Sequence, residues 1–282
     1  MALTRQIPPG SASLVLAVRV HWSVSQPTVE RIRTYPIKSL DGVDRDRAEL
    51  LPGGALDGDR EYAVVDADGE YVNGKRTAAV HRLDATVDRR TGTVRIGRRT
   101  DDERREFDLS DRGPLAAWLS DYFGEDVRVV RDERGMPDDT DARGPTVIST
   151  GTLREVASWF PDVTVDGVRR RFRASIEVGG VPAFWEDRLY AADGSREFEV
   201  GGVRFLGDGP CNRCVVPTRD PDTGEPTDGF RATFLRKREA TLPEWVPAER
   251  FDHFYKLMVN TRVPESGWGE SVAVGDPVRL LD

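Results

Sequence analysis

The sequence has only two cysteines, three histidines and four lysines in 282 residues, and each shortage removes a class of function. Two cysteines cannot build the disulfide framework of a small secreted scaffold, so a reducing cytoplasm is the expected compartment. Nor can they ligate an iron–sulfur cluster of the usual four-thiolate kind, and no flavin or nicotinamide motif is visible. His21, His81 and His253 stand in no paired spacing, which leaves a structural zinc without its four ligands. No apolar run approaches the roughly 20 residues of a membrane span. Residues 11–21 are mildly apolar but interrupted by Arg19, and no cleavage site follows. Residues 1–27 therefore read as a weakly structured extension. Lysine supplies only four of the 41 basic residues, and the net charge is −8. That balance opposes general nucleic-acid binding. Abundant carboxylates with scarce lysine resemble an adaptation to high salt, a property of the surface that says little about substrate.

At this length the chain has room for one large domain or two small ones with a real core. Both cysteines fall in one stretch, Gly207 to Glu225, which reads GDGPCNRCVVPTRDPDTGE. Gly207, Gly209 and Pro210 predict a tight loop before Cys211 and Cys214. Val215 and Val216 predict an extended segment after them, and Pro221 to Gly224 a second turn. Four readings compete for thiols so placed. They are buried apolar fillers. They form a redox dithiol, although that chemistry sets its pair at a helix N-terminus, and Val215-Val216-Pro217 does not open a helix. They ligate zinc, for which partners are missing. Or one of them is a soft thiolate ligand to a metal whose other ligands come from an organic cofactor.

The segment PCNRCVVPTRDPDTGE resembles the cysteine segment of the MOSC-domain family, in the branch that includes the mitochondrial amidoxime-reducing component and its bacterial relatives. Four further segments in the same order resemble that family, from residue 28 to residue 281. The resemblance implies that Cys214 is the molybdenum ligand and catalytic centre, with Cys211 non-ligating and Arg213 beside it among the cofactor-binding candidates. YPIKSL resembles the opening motif, which brings forward Lys38 and Ser39 as phosphate or pterin contacts; an ammonium and a hydroxyl suit that role. GDREYAVVD matches a segment whose arginine meets the cofactor, here Arg60, and a planar guanidinium fork suits such recognition. Lys75 is a weaker candidate in the following segment. Ser149 and Thr150 sit in a hydroxyl-rich turn that lies beside the pterin in the family, or they only cap a helix. RFRAS resembles a segment whose arginine contacts the cofactor, here Arg173, followed by Ala174-Ser175 where Pro-Asn is usual. Phe184 to Asp187 is expected at the site mouth, Asn260 lines the site, and residues 272–278 resemble a closing strand pair.

The fold so implied is α+β and β-rich: an N-terminal MOSC β-barrel domain over residues 28–143, packed on a MOSC β-barrel domain with a few helices over 144–282. The function implied is a molybdenum-cofactor oxidoreductase that reduces N-hydroxylated compounds, with molybdopterin as cofactor. An external donor such as a ferredoxin or flavin reductase is implied, with no nucleic-acid or membrane partner. A cofactor or sulfur carrier using a Cys214 persulfide is the alternative, and a metal-free thiol redox protein a third reading.

The remaining pattern is read from periodicity. Ile32 and Thr34 alternate with arginines as in a half-buried strand, with Val29 out of phase. Tyr62 to Val65 is a strand, and Leu83–Val87 and Thr93–Ile96 form a hairpin about Arg90-Thr91-Gly92. Asp101 to Arg105 is a solvated charge run. Pro114 opens a helix with Leu115, Trp118, Leu119 and Tyr122 on one face, and Gly124 ends it. Thr152 to Glu155 reads as a capping box. Glu197–Phe205 is a hairpin, 229–240 a short helix, and 254–263 a strand.

Overall fold

Fifteen strands and four α-helices form from the described residues, 26–281, of this computed structural model. Most of the predicted extension, residues 1–25, lies outside them. The chain begins with β1 (Thr28–Thr34), β2 (Val43–Arg45), β3 (Arg47–Glu49) and β4 (Tyr62–Val65). Next come the meander β5 (Leu83–Asp88), β6 (Thr93–Arg98) and β7 (Arg105–Asp108), helix α1 (Gly113–Phe123), and β8 (Arg128–Arg131). The second half runs β9 (Val147–Ser149), α2 (Thr150–Ser158), α3 (Val165–Phe172), β10 (Ile176–Gly179), β11 (Arg196–Val200) and β12 (Val203–Asn212). It closes with α4 (Phe230–Ala240), β13 (Lys256–Arg262), β14 (Ser271–Ala273) and β15 (Val278–Leu280).

Eight strands pair in the order β15-β11-β12-β13-β9-β10-β1-β2, and β14 pairs with β3. A division at residue 143 therefore does not follow the sheets. Val29, Ile32, Ala48, Leu50 and Leu56 pack into the core of the later half, among Phe198, Phe205 and Val259. The N-terminal half keeps its own core around Val64, Leu83, Val94, Ile96, Leu115 and Leu119, under the β5-β6-β7 sheet and the β4-β8 pair. A third cluster joins α2, α3 and α4 through Leu153, Phe172, Phe230 and Phe234.

The local readings meet specific outcomes. The register shift between Val29 and Arg31 in the β1–β10 pair explains why Val29 is out of phase: a bulge puts both Val29 and Ile32 inside. Helix α1 carries Pro114 in its first turn, and Gly124 ends it at φ 74°. The charge run is only partly free, because Arg104 pairs with Asp84 at 2.7 Å and Arg105 opens β7. The capping box is displaced by one turn: Ser149 caps α2, its Oγ accepting from the Thr152 amide at 3.0 Å, and Thr152 is already helical. Residues 272–278 do not form a mutual strand pair. β14 joins β3 and β15 joins β11, because Gly275 turns the chain between two different sheets.

Phe184 to Asp187 is not at a site mouth. Trp185–Leu189 is a buried 3₁₀ turn, packed against β12 closely enough that a Cβ at Gly207 would stand 1.9 Å from the Leu189 carbonyl oxygen. Glu186 accepts from Thr152 Oγ1 at 2.9 Å, and Asp187 pairs with Arg238. Burial, and then the neighbouring Asp187, push the Glu186 carboxyl up to about 7. A carboxyl raised on folding contributes stability below its unfolded pKa and loses it as pH rises through the folded one. Replacing Glu186 by glutamine should therefore flatten the fall in urea midpoint between about pH 4.5 and pH 7, the window between the ordinary and the folded value.

Candidate functional site

A cavity of about 210 Å³ lies where the two halves meet, walled by residues of both. Eleven arginine and lysine side chains line it against four carboxylates, in a chain whose net charge is −8. Such a concentration of one sign focuses the field and favours anionic ligands.

Both thiols reach this cavity, and both are half-buried and free. Cys211 is not on a loop. β12 continues to Asn212, and the Gly207–Asn212 segment finds ladder partners on β13 while two bulges absorb its glycine and proline. Nor do Val215 and Val216 extend. Val216–Thr218 is a 3₁₀ turn with Pro217 in its first turn, where a fixed φ suits it, and the Thr218 amide and hydroxyl both donate to the Val215 carbonyl. Cys214 thus stands between a strand end and a tight turn. Arg213 donates to Cys211 Sγ at 3.1 Å and to the Phe172 carbonyl at 3.1 Å, which holds the two-residue spacer against α3.

Of the residues nominated from sequence, Lys38, Ser39, Arg60, Lys75, Arg173, Ser175, Arg213, Cys214 and Asn260 line this one cavity. Lys38 is 6% exposed, over the Tyr71 ring, and pairs with Asp138 at 3.0 Å. Burial holds its ammonium below the usual lysine range, and Asp138 only partly offsets this. Arg60 pairs with Asp59, and although burial disfavours its charge, Asp59 and Asp138 outweigh the cost. Asn260 Nδ2 donates to Asp139 at 2.9 Å. The Ser175 amide is tied to Thr146.

Arg173 and the exposed Lys75 are the exceptions among these cations. The Arg173 guanidinium stacks 3.9 Å from the Tyr35 ring centroid and has no hydrogen-bond or ion-pair partner among the described residues. Burial lowers its pKa, and the neighbouring Arg60 adds to that effect while Tyr35 opposes it. Ser149 and Thr150 do not reach the cavity. Ser149 is fully buried against Thr152 and Pro182, and Thr150 donates to Glu30.

Several lining residues escape sequence reasoning. Met258 is one, and with the nominated Ser39, Arg60 and Arg173 it makes four of the five non-glycine residues with positive φ among the described residues. Such backbones cost of order 1–3 kcal/mol each and persist where surrounding structure over-determines them. Tyr35 is held between Arg60 and Arg173, its hydroxyl on the Ala174 carbonyl at 3.3 Å. Arg171, 4% exposed, donates to the Pro217 and Arg219 carbonyls and so fixes the turn after Cys214. His81 packs against Gly74, and burial followed by Arg219 and Arg173 pushes its imidazole down to about 4. Asp138 and Asp139 come from a stretch with no motif; their signal, an acidic pair between Pro137 and Gly144, reads as a linker.

Fold and cavity together define a class: a β-rich protein in two parts that presents a free thiol inside a strongly cationic pocket at their junction. Residues 26–164 match the MOSC N-terminal beta barrel domain and residues 140–279 the MOSC domain. The chain belongs to the MOSC family. The mitochondrial amidoxime reducing component 2 of Bos taurus is 27% identical over 237 residues, covering 70% of this chain and 68% of that protein. The mitochondrial amidoxime-reducing component 1 of Homo sapiens is 24% identical over 236 residues, with 70% and 67% covered. A molybdenum cofactor sulfurase of Caenorhabditis briggsae is 25% identical over 221 residues, 71% of this chain but 30% of that protein. The chain thus spans about two thirds of the length of the first kind of relative and about a third of the second.

Proposed function

We propose that this chain holds a phosphate-bearing molybdenum–pterin cofactor in the cationic cavity and reduces N-hydroxylated compounds with electrons from a separate donor. The carrying observation is the Cys214 thiol on the wall of a cavity that also holds a half-buried arginine, Arg173, with no hydrogen-bond or ion-pair partner among the described residues. The donor set fits the group. A thiolate suits a soft or high-valent metal, and a guanidinium without an acceptor, stacked on Tyr35, lacks only an anion.

In this reading Cys214 binds the metal, while Lys38, Arg60 and Arg173 neutralise the phosphate. Ser39 and Asn260 add hydrogen bonds, and Arg171 and Arg213 position the cysteine by holding the backbone on either side of it. When bound, the cofactor supplies two-electron oxygen-atom transfer. The reaction balances as an N-hydroxyl group plus two electrons and two protons giving an N–H group and water. The electrons come from a ferredoxin or flavin reductase, and the cytoplasm is the matching compartment. Among the described residues no helix is long and apolar enough to cross a membrane.

Similarity to the sulfurases keeps one other reading in view, in which Cys214 carries a persulfide and passes sulfur or cofactor on. The two separate in one assay. Chain produced in a host that makes the cofactor should reduce an aromatic hydroxylamine with a reduced ferredoxin, at a rate that saturates with substrate. Absence of turnover together with one cyanide-labile sulfur per chain would favour the carrier.

A further inference from the structure

Within residues 136–143, MPDDTDAR, five residues line one side of the cavity: Pro137, Asp138, Asp139, Ala142 and Arg143. The segment is fixed at both ends. The Met136 amide donates to the Arg60 carbonyl at 2.9 Å, and the Gly144 amide donates to the Thr261 carbonyl at 2.9 Å. Between them, residues 137–143 make no backbone–backbone hydrogen bond. Side chains hold them instead: Asp138 on Lys38, Asp139 on Asn260, and Arg143 on the Arg134 and Gly135 carbonyls. A segment held in this way opens at low local cost.

Its contacts coincide with the proposed anion contacts. Lys38 Nζ is bound by the Met136 carbonyl at 2.8 Å and the Asp138 carboxylate at 3.0 Å, and no other carboxylate pairs with it among the described residues. Asp138, whose side chain is 63% exposed, also feels Arg60 and Lys75, and these cations with Lys38 hold its carboxyl below the usual range. Asp139 has divided duties: Oδ1 accepts from the Asp141 and Ala142 amides, and Oδ2 accepts from Asn260. Asp141, two residues on, is exposed and touches nothing in the cavity.

We infer that residues 137–143 form an acidic strap whose Asp138 and Asp139 stand in for an anion on Lys38 and Asn260, so that loading an anionic ligand exchanges the strap for it. The inference rests on the cavity being an anion site, as proposed above. The exchange has a physical logic. Lys38 is too buried to be left without a counter-charge, and the strap supplies one until a ligand does. Apparent affinity is then lowered by the fraction of chains with the strap in place.

The test uses the full chain purified from a host unable to make the pterin cofactor, with inorganic pyrophosphate as the probe. Pyrophosphate should raise amide hydrogen exchange across 137–143 severalfold while leaving β12 and β13 protected. The double variant Asp138→Asn/Asp139→Asn should bind pyrophosphate on the order of tenfold more tightly, and Asp141→Asn, an equal change of charge for one residue in the same segment, within about twofold of wild type. Binding with exchange at 137–143 unchanged or reduced overturns the strap and leaves the cofactor reading standing, as does an Asp141→Asn gain equal to that of the double variant. No pyrophosphate binding by any of these chains overturns both. The wild-type exchange measurement decides the matter even if the variants fold poorly.

Discussion

Replacing Arg238 by leucine is expected to lower stability by about 3–5 kcal/mol, the usual range for removing one partner of a buried pair. Arg238 is 1% exposed and lies between the Phe184 and Phe251 rings, 4.1 and 5.0 Å from their centroids. Its Nη2 bonds Asp187, which also accepts from the Tyr190 hydroxyl at 3.2 Å. Leucine keeps much of the apolar contact but leaves the buried Asp187, next to the buried Glu186, without its cation. Burial already raises both carboxyls' pKa values, and Arg238 is the main opposing influence on Asp187. The urea midpoint should fall sharply, and adding Asp187→Asn should recover part of the loss because the stranded charge is gone. A loss below about 1 kcal/mol would mean that the pair does not hold α4 against the 185–189 turn, and the buried cluster would need another account.

The second large effect runs in opposite directions for stability and function. Arg173→Leu should leave the ligand-free chain as stable as wild type or more stable, by about 1 kcal/mol, because it removes a half-buried cation that no carboxylate pairs with directly among the described residues. Both side chains meet the same left-handed backbone at φ 59°, so that cost does not change. The same substitution should weaken pyrophosphate binding by tenfold or more, since a charge-assisted guanidinium–phosphate contact is lost. Arg173→Lys keeps charge without the planar fork and should fall between. Thermal denaturation and titration calorimetry on one preparation read both quantities. Destabilisation with unaltered binding would show that Arg173 serves the fold and not the site.

This trade-off also explains which parts of the molecule were legible in the sequence. Helix α1 could be read because Pro114, Gly124 and the Leu115–Leu119 stripe agree locally. The β5–β6 hairpin could be read because alternation and the Arg90-Thr91-Gly92 turn agree. Helix α3 resisted, since its arginines answer to distant partners: Arg169 to Glu177, Arg170 to Asp222, Arg171 to the turn after Cys214. The β11–β12 hairpin could be read as far as Phe205, but the Gly207–Asn212 end of β12 was hidden by its own glycines and proline, because only the pairing with β13 makes them bulges. The family motifs placed nine nominated residues on the cavity wall, but Ser149 and Thr150 were drawn away by a cap and by Glu30. Asp138 and Asp139 had no motif at all, and their part is visible only once Lys38 and Asn260 stand opposite them.

The central claim, that Cys214 holds a metal in this cavity, is tested most directly by molybdenum per chain after production in a host that makes the cofactor. Wild type, Cys214→Ser and Cys211→Ser should be measured side by side, with circular dichroism confirming that each is folded. Near-stoichiometric metal in wild type and in Cys211→Ser, with loss to a few per cent in Cys214→Ser, is the result this account predicts. Folded wild-type chain without molybdenum, or equal retention by the two cysteine variants, would contradict it.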